Sequence, residues 1–151
     1  MTSSPWSPRF DASAWPIAEM VLTSRYTDAE FEQLLVDLSD AVAGHAAPYG
    51  LLVDARESRA ISPQLRRKLA SYMQEQAPMS EKYCRGTALV MHSSILRGVL
   101  TALLWMYEPP FPIRVFEGFD TARAWLAERL ADPAYGGRAT VQSVSLPPDE
   151  R

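Results

Sequence analysis

The sequence has a single cysteine, Cys84, among its 151 residues. One thiol cannot close an internal disulfide, and it cannot provide a metal site built from a pair of cysteines. The two histidines, His45 and His92, have no second ligand at helical or hairpin spacing, so we expect no metal site. The seven glycines are scattered and form no phosphate-binding loop. We therefore expect no cofactor.

The sequence also has no excess of positive charge and no long apolar run. The formal net charge is −3, without the basic excess that is typical of nucleic-acid binders. No stretch approaches the ~20 consecutive apolar residues of a membrane-spanning helix. The opening residues, MTSSPWSP, lack the basic and then apolar layout of a signal peptide. We expect a cytoplasmic protein with no transmembrane segment and no nucleic-acid partner.

The apolar pattern predicts one α/β domain between two loose ends. The length suits a single domain, and short apolar strands alternate with amphipathic helices in the order β-β-α-β-α-β-α-β-α. This order predicts a mixed, mostly parallel sheet with an antiparallel N-terminal strand pair and helices packed on it. We expect a flexible arm over residues 1–9, the domain over residues 10–131 and a flexible tail over residues 132–151.

A few residues predict where the helices begin and end. The stretch TDAE, which starts at Thr27, has the pattern of a capping box at the first helix, and Gly44 predicts the end of that helix. Ser62 stands directly before a proline and is the expected N-cap of the second helix. Ser94 and Asp120 are the expected N-caps of the last two helices.

The layout resembles the STAS-like family, the anti-sigma-factor-antagonist-like domains. Two stretches carry the resemblance: LLVDARESRAIS, and the ending RVFEGFDTARAWLAERL. In the second, Ala124, Trp125 and Leu126 stand where that family packs an Ala and a Trp-Leu pair on the sheet. The resemblance covers roughly residues 10–130. It implies a non-enzymatic bacterial signalling regulator that binds partner proteins, and in some branches nucleotides or lipids.

One position departs from the phospho-regulated members of that family. In those members, an Asp at a strand end is followed eight residues later by an Asp-Ser-Ser/Thr-Gly run whose first hydroxyl is phosphorylated. Counted from Asp54, this run falls on residues 62–65, which read SPQL, so Pro63 occupies the phosphoacceptor position. The resemblance therefore implies that the standard phosphoswitch does not operate here. Ser58 and Ser62 are the remaining candidates for phosphorylation in this loop.

The loop after the Asp54 strand is the predicted docking site for a protein partner. Ligands favour the carboxyl edge of parallel strands, and the N-terminus of the following helix adds partial positive charge. The arginines of this region either form a solvated surface or bind an anion or an acidic partner. The predicted docking residues are Asp54, Arg56, Ser58, Arg59, Ser62 and Arg66.

The same edge offers a weak hydrolase pattern. Ser93 or Ser94 would be the nucleophile, His92 the base and Asp54 the orienting acid. The chain has no G-x-S-x-G elbow, and no oxyanion-hole glycines flank the serines. We therefore expect no catalytic residues and no enzymatic activity.

The helix ILRGVLTALLWMY, residues 95–107, is apolar on nearly every face. A helix of this kind needs cover from its own domain or from a partner. We predict a homodimer that buries Trp105, Met106, Tyr107 and Phe111. One alternative is that the EPPFP segment folds back over the helix. Another is that a small apolar, lipid-like ligand lies between this helix and the sheet, which makes the protein a carrier or sensor.

Overall fold

The computed structural model describes residues 7–58 and 61–132 of the chain. Most of the predicted N-terminal arm, Arg59, and all of the predicted tail except Asp132 lie outside these residues. The described elements, in chain order, are β1 (Arg9–Asp11), β2 (Ile17–Val21), α1 (Asp28–His45), β3 (Tyr49–Asp54), α2 (Pro63–Glu75), α3 (Ala77–Tyr83), β4 (Cys84–Val90), α4 (Ser94–Met106), β5 (Ile113–Phe116) and α5 (Phe119–Ala131).

The strands form one five-stranded sheet in the order β1-β2-β3-β4-β5. The β1–β2 pair is antiparallel and the other three pairs are parallel, which confirms the predicted mixed sheet. Parallel neighbours that follow each other along the chain require crossover connections, and crossovers of one hand place their helices on one face of the sheet. The helices α1 to α4 belong to these crossovers, and their buried or partly buried apolar side chains pack together on that face.

Among the described elements, α5 alone covers the other face of the sheet. Leu52 of β3 and Val90 of β4 are completely buried beneath Ala122 and Leu126 of this helix. Gly50 allows the close approach, because a Cβ atom at that position would lie 3.0 Å from the Leu126 side chain. This layer is tightly packed.

The resemblance placed three consecutive residues of α5 against the sheet, and one of them points away. Leu126 is fully buried and Trp125 is half-buried beside Gly86, but Ala124 is exposed. Residues four apart lie on the same side of a helix, so the small residue under α5 is Ala122. The expectation for Ala124 is wrong for this reason.

Hydrogen bonds at the helix starts confirm two of the predicted caps and correct a third. At α1, the Glu30 amide donates to the Thr27 hydroxyl (3.1 Å), and the Thr27 amide donates to the Glu30 carboxylate (2.9 Å), which completes the capping box. At α2, Ser62 accepts from the Leu65 amide at 3.0 Å. At α4, however, the cap is Ser93, because its hydroxyl accepts from the Leu96 amide at 3.1 Å. The predicted cap Ser94 is the first helical residue.

Two further boundaries and one helix differ from the prediction. Gly44 lies inside α1, and the chain leaves that helix at Ala46, which has a left-handed φ of 47° and donates to the Val42 carbonyl at 2.9 Å. Asp120 lies in the first turn of α5 after an N-cap at Gly118, and its side chain makes no capping bond. The short helix α3 was not predicted, because Pro78 and the polar residues of this stretch resemble a loop.

No helix in the described part of the chain is both long enough and apolar enough to cross a membrane.

Candidate functional site

The first two predicted docking residues, Asp54 and Arg56, bind each other. The Arg56 guanidinium donates two hydrogen bonds to the Asp54 carboxylate, at 2.9 and 2.8 Å, and the Arg56 amide donates a third at 3.2 Å. These hydrogen bonds from Arg56 lower the pKa of the Asp54 carboxyl below its usual range, although partial burial of the group acts in the opposite direction. Both side chains therefore have a role within the loop itself.

The two serines of the same loop lie in separate contacts. Ser58 is buried, and its hydroxyl lies 3.1 Å from the Tyr26 hydroxyl. Ser62 caps α2 and also donates to the Asp28 carboxylate at 3.3 Å. A kinase can reach Ser58 only if the loop opens. Arg66 is half-buried on α2, and Arg59, the last of the six predicted docking residues, lies outside the described residues.

The four residues of the predicted dimer face do not share one surface. Trp105 is 86% exposed and Met106 is 59% exposed at the end of α4. Tyr107 is half-buried, and its hydroxyl is enclosed without a hydrogen-bond partner. Phe111 packs against the core instead, so part of the EPPFP segment does fold back onto the domain. Of these four residues, only Trp105 and Met106 remain available to a second copy.

The residues of the weak hydrolase pattern are each held by other groups. His92 Nε2 lies 3.0 Å from the Glu117 carbonyl oxygen, Ser93 caps α4, and Asp54 is paired with Arg56. Within residues 7–58 and 61–132, no group of three or more His, Cys, Asp and Glu side chains is arranged to hold a metal ion.

The sequence predicted a ligand beneath α4 only as an alternative, and the structure contains a cavity there. The cavity lies between the sheet and the helices α1 to α4 and has a volume of about 190 Å³. Leu51 and Leu89 face it from the two central strands and are both partly accessible, whereas Leu52 and Val90 on the opposite face are completely buried. The central strands are therefore packed closely on one face only.

Most of the cavity wall is apolar. The strands provide its floor and the four crossover helices provide its roof. The main apolar lining residues are Met20, Val53, Leu69, Leu100, Leu103 and Ile113. Among the residues that the structure describes, no Asp, Glu, Lys, Arg or His side chain lines the cavity.

The amino-terminal ends of β3 and β4 bring polar side chains to the cavity. Tyr49 lies opposite Cys84 in the sheet register, and its hydroxyl contacts the side chains of Cys84 and Ser80. The Cys84 thiol lies 3.6 Å from the Gly86 carbonyl oxygen and 3.9 Å from the Thr87 hydroxyl. Burial raises the pKa of both the Tyr49 phenol and the Cys84 thiol, so both groups are neutral at physiological pH.

A second polar contact joins two helices at the cavity wall. The Tyr72 hydroxyl of α2 donates to the Leu35 carbonyl of α1 at 3.1 Å and lies 2.7 Å from the Ser39 hydroxyl. The Tyr72 hydroxyl is therefore already satisfied by protein groups. Sequence reasoning did not identify Tyr49, Ser80 or Thr87, because polar residues at isolated inward positions produce no motif.

The comparisons with known proteins agree on one fold. A family model described as SpoIIAA-like matches residues 17–127 of this chain. The chain is also similar to the solved structure of an uncharacterized DUF3478-family protein with a SpoIIAA-like fold from Shewanella loihica PV-4. The TM-score is 0.53 at 19% sequence identity, over 83% of this chain and 98% of that one, a level of identity that shows the fold alone. A search of curated proteins finds no match.

Proposed function

This chain belongs to the SpoIIAA-like family, a generally non-enzymatic regulatory fold, and we propose that it holds a small apolar ligand between its sheet and its crossover helices. One observation carries the proposal. Leu51 and Leu89, at the centre of the sheet, face a cavity of about 190 Å³ instead of close-packed side chains. Protein interiors are normally packed without such gaps.

The cost of an empty cavity supports this proposal. Side chains around a void lose the dispersion contacts that neighbours would supply. At ~24 cal/mol for each Å³ of cavity, a fully closed space of this size would cost roughly 4–5 kcal/mol, and this cavity costs less because it is partly open. The whole free energy of unfolding of a typical domain is only about 5–15 kcal/mol. A ligand that fills the space recovers much of that loss.

The cavity volume limits the size of the ligand. In another protein, an apolar cavity of about 150 Å³ stays dry and binds benzene. The cavity of this chain is somewhat larger, so it accepts a substituted benzene ring or a short alkyl chain.

A substitution that fills the cavity tests the proposal. Leu89→Phe places a larger side chain in the cavity from its floor, so it should raise the free energy of unfolding by about 0.5–2 kcal/mol and prevent ligand binding. The control, Val36→Phe, enlarges an exposed side chain on α1 and should change neither property. Chemical denaturation measures stability, and native mass spectrometry of protein from its source organism measures bound ligand.

Two outcomes would contradict the proposal. Protein from its source organism that carries no ligand, together with a Leu89→Phe variant that unfolds more easily than the wild type, would show that the cavity is neither occupied nor available. Ligand retained equally by Leu89→Phe and by the wild type would place the ligand elsewhere on the molecule.

A second proposal is that a protein partner docks on the loop after β3 and on α2. The first turn of α2 contains no acidic residue, and Arg66 follows directly in the next turn. The partial positive charge of the helix N-terminus adds to the charge of the arginine, and the Asp28 carboxylate at the Ser62 cap offsets part of it. This surface therefore suits an acidic partner.

A further inference from the structure

We infer that the ligand of this cavity is an uncharged molecule with an apolar body and one hydrogen-bonding head group, and that the head group lies against Tyr49, Cys84 and Thr87. This inference rests on the proposed function and narrows its ligand to a chemical class. Two features of the cavity carry it: the absence of charged groups from its described lining, and the placement of polar groups at one end.

The first feature excludes an ionised ligand. Moving a carboxylate or an ammonium group out of water is unfavourable unless an opposite charge or several hydrogen bonds replace its hydration. No lysine, arginine, histidine, aspartate or glutamate lines the described part of the cavity. The Tyr49 phenol and the Cys84 thiol also remain protonated, since burial raises the pKa of each group. The cavity therefore favours a neutral ligand over its charged analogue.

The second feature sets the orientation of the ligand. Tyr49 and Cys84 stand at the amino-terminal starts of the neighbouring strands β3 and β4. At the opposite ends of these strands, the lining residues are Ala55 and Met91, which are both apolar. One end of the cavity is therefore polar and the other is apolar. A ligand with one polar group matches this arrangement only when that group lies at the amino-terminal ends of β3 and β4.

The Thr87 hydroxyl has unused capacity for such a bond. A threonine hydroxyl donates one hydrogen bond and accepts two. Thr87 is buried, and its hydroxyl lies 3.9 Å from the Cys84 sulfur, a long contact to a weak partner. A ligand hydroxyl or carbonyl at this position forms a stronger bond, and a buried polar group gains most from such a partner. Tyr72, by contrast, is already bonded to the Leu35 carbonyl.

Three probes of similar size test the inference: toluene, benzyl alcohol and benzoate. Each is titrated at about pH 8, where benzoate is fully ionised, into isotope-labelled full-length protein, with NMR chemical shifts as the readout of affinity and location. We expect benzyl alcohol to bind at least about tenfold more tightly than benzoate. The shifts should include the Thr87 amide.

A double variant tests the position of the head group. Tyr49→Phe with Thr87→Val removes two hydroxyls and keeps the shape of the cavity. We expect it to weaken benzyl alcohol binding several-fold, by the order of one hydrogen bond, and to leave toluene binding unchanged. The control, Tyr83→Phe, removes a hydroxyl just before β4 that does not line the cavity, and it should affect neither probe.

The results distinguish failure of this inference from failure of the proposed function. Benzoate binding as tight as that of benzyl alcohol overturns the requirement for a neutral ligand. Benzyl alcohol binding that survives the double variant overturns the assigned head-group position. If toluene, benzyl alcohol and benzoate all fail to bind the wild type, the proposed function fails as well. If the double variant does not fold, Thr87→Ser, which keeps the hydroxyl, and Thr87→Val provide the matched pair.

Discussion

The carboxylate of Asp54 accepts three hydrogen bonds from described residues, and all three come from Arg56. A bidentate contact between arginine and a carboxylate is stronger than a single neutral hydrogen bond. At the residue scale, this pair explains why an apolar strand ends in an acid: Asp54 holds the first residues of the loop in place. The arginine is 43% exposed, so solvent screens part of the attraction.

The Asp54–Arg56 pair predicts that the stability of the fold depends on pH. The pKa of Asp54 is lowered in the folded chain, mainly by its hydrogen bonds with Arg56. The pair therefore stabilises the fold above the usual Asp pKa of about 3.9, and this contribution is lost as the pH falls through the lower folded value. Replacing Arg56 by Met should raise the Asp54 pKa and remove that part of the acid dependence.

NMR titration of the Asp54 carboxyl carbon measures the pKa directly. The control, Arg67→Met, removes an exposed charge from α2 and should leave the Asp54 titration unchanged. An Asp54 pKa that is identical in Arg56→Met and in the wild type would show that the hydrogen bonds seen here do not persist in solution.

At the element scale, sequence patterns predict the strands and long helices more accurately than their ends. All five strands, the helix α1 with its capping box, and the start of α2 follow from apolar spacing and local capping chemistry. The end of α1 does not, because Gly44 is compatible with a helix interior and the chain turns at Ala46. Local pattern also cannot decide between adjacent serines, and the cap at α4 is Ser93.

The prediction for α2 concerns partner docking. Arg66→Glu reverses the charge near the start of this helix, so capture of an acidic partner should be lost. The half-exposed position of Arg66 predicts little change in the melting temperature. The control, Lys82→Glu, makes the same charge reversal on α3, away from the loop. Pull-downs with the three proteins, compared by mass spectrometry, measure the effect. An unchanged set of partners in Arg66→Glu would contradict the prediction.

At the scale of the whole molecule, the two faces of the sheet differ in packing. The consecutive apolar residues in β3 and β4 predict that both faces are covered, and both are. This sequence pattern contains no information about how closely each layer of helices approaches the sheet. That distance depends on residues far apart in sequence, such as Gly50 beneath Leu126 on one face and the Ser39–Tyr72 contact between α1 and α2 on the other. The cavity therefore becomes evident only in the folded chain.

The last prediction concerns self-association through α4. Ile95, Trp105 and Met106 are exposed on this helix, and the small residues Gly98 and Ala102 lie on the same side at helical spacing. Burying each large side chain contributes roughly 1.5–3 kcal/mol, against an association cost of about 4–15 kcal/mol. Two copies that each bury three such side chains can therefore exceed the lower end of that cost, so we expect a homodimer.

Light scattering of the wild type and of Trp105→Glu tests this expectation. The wild type should have the mass of two chains, and Trp105→Glu should be a folded monomer, because a charge on the apolar face cannot be buried unpaired in the interface. Val36→Glu, an exposed change on α1, is the control and should remain dimeric. Phe111→Glu is unsuitable as a second variant, since Phe111 lines the cavity and its replacement would disturb the fold. A wild-type mass of one chain at micromolar concentrations would contradict the dimer and leave Trp105 exposed in the free protein.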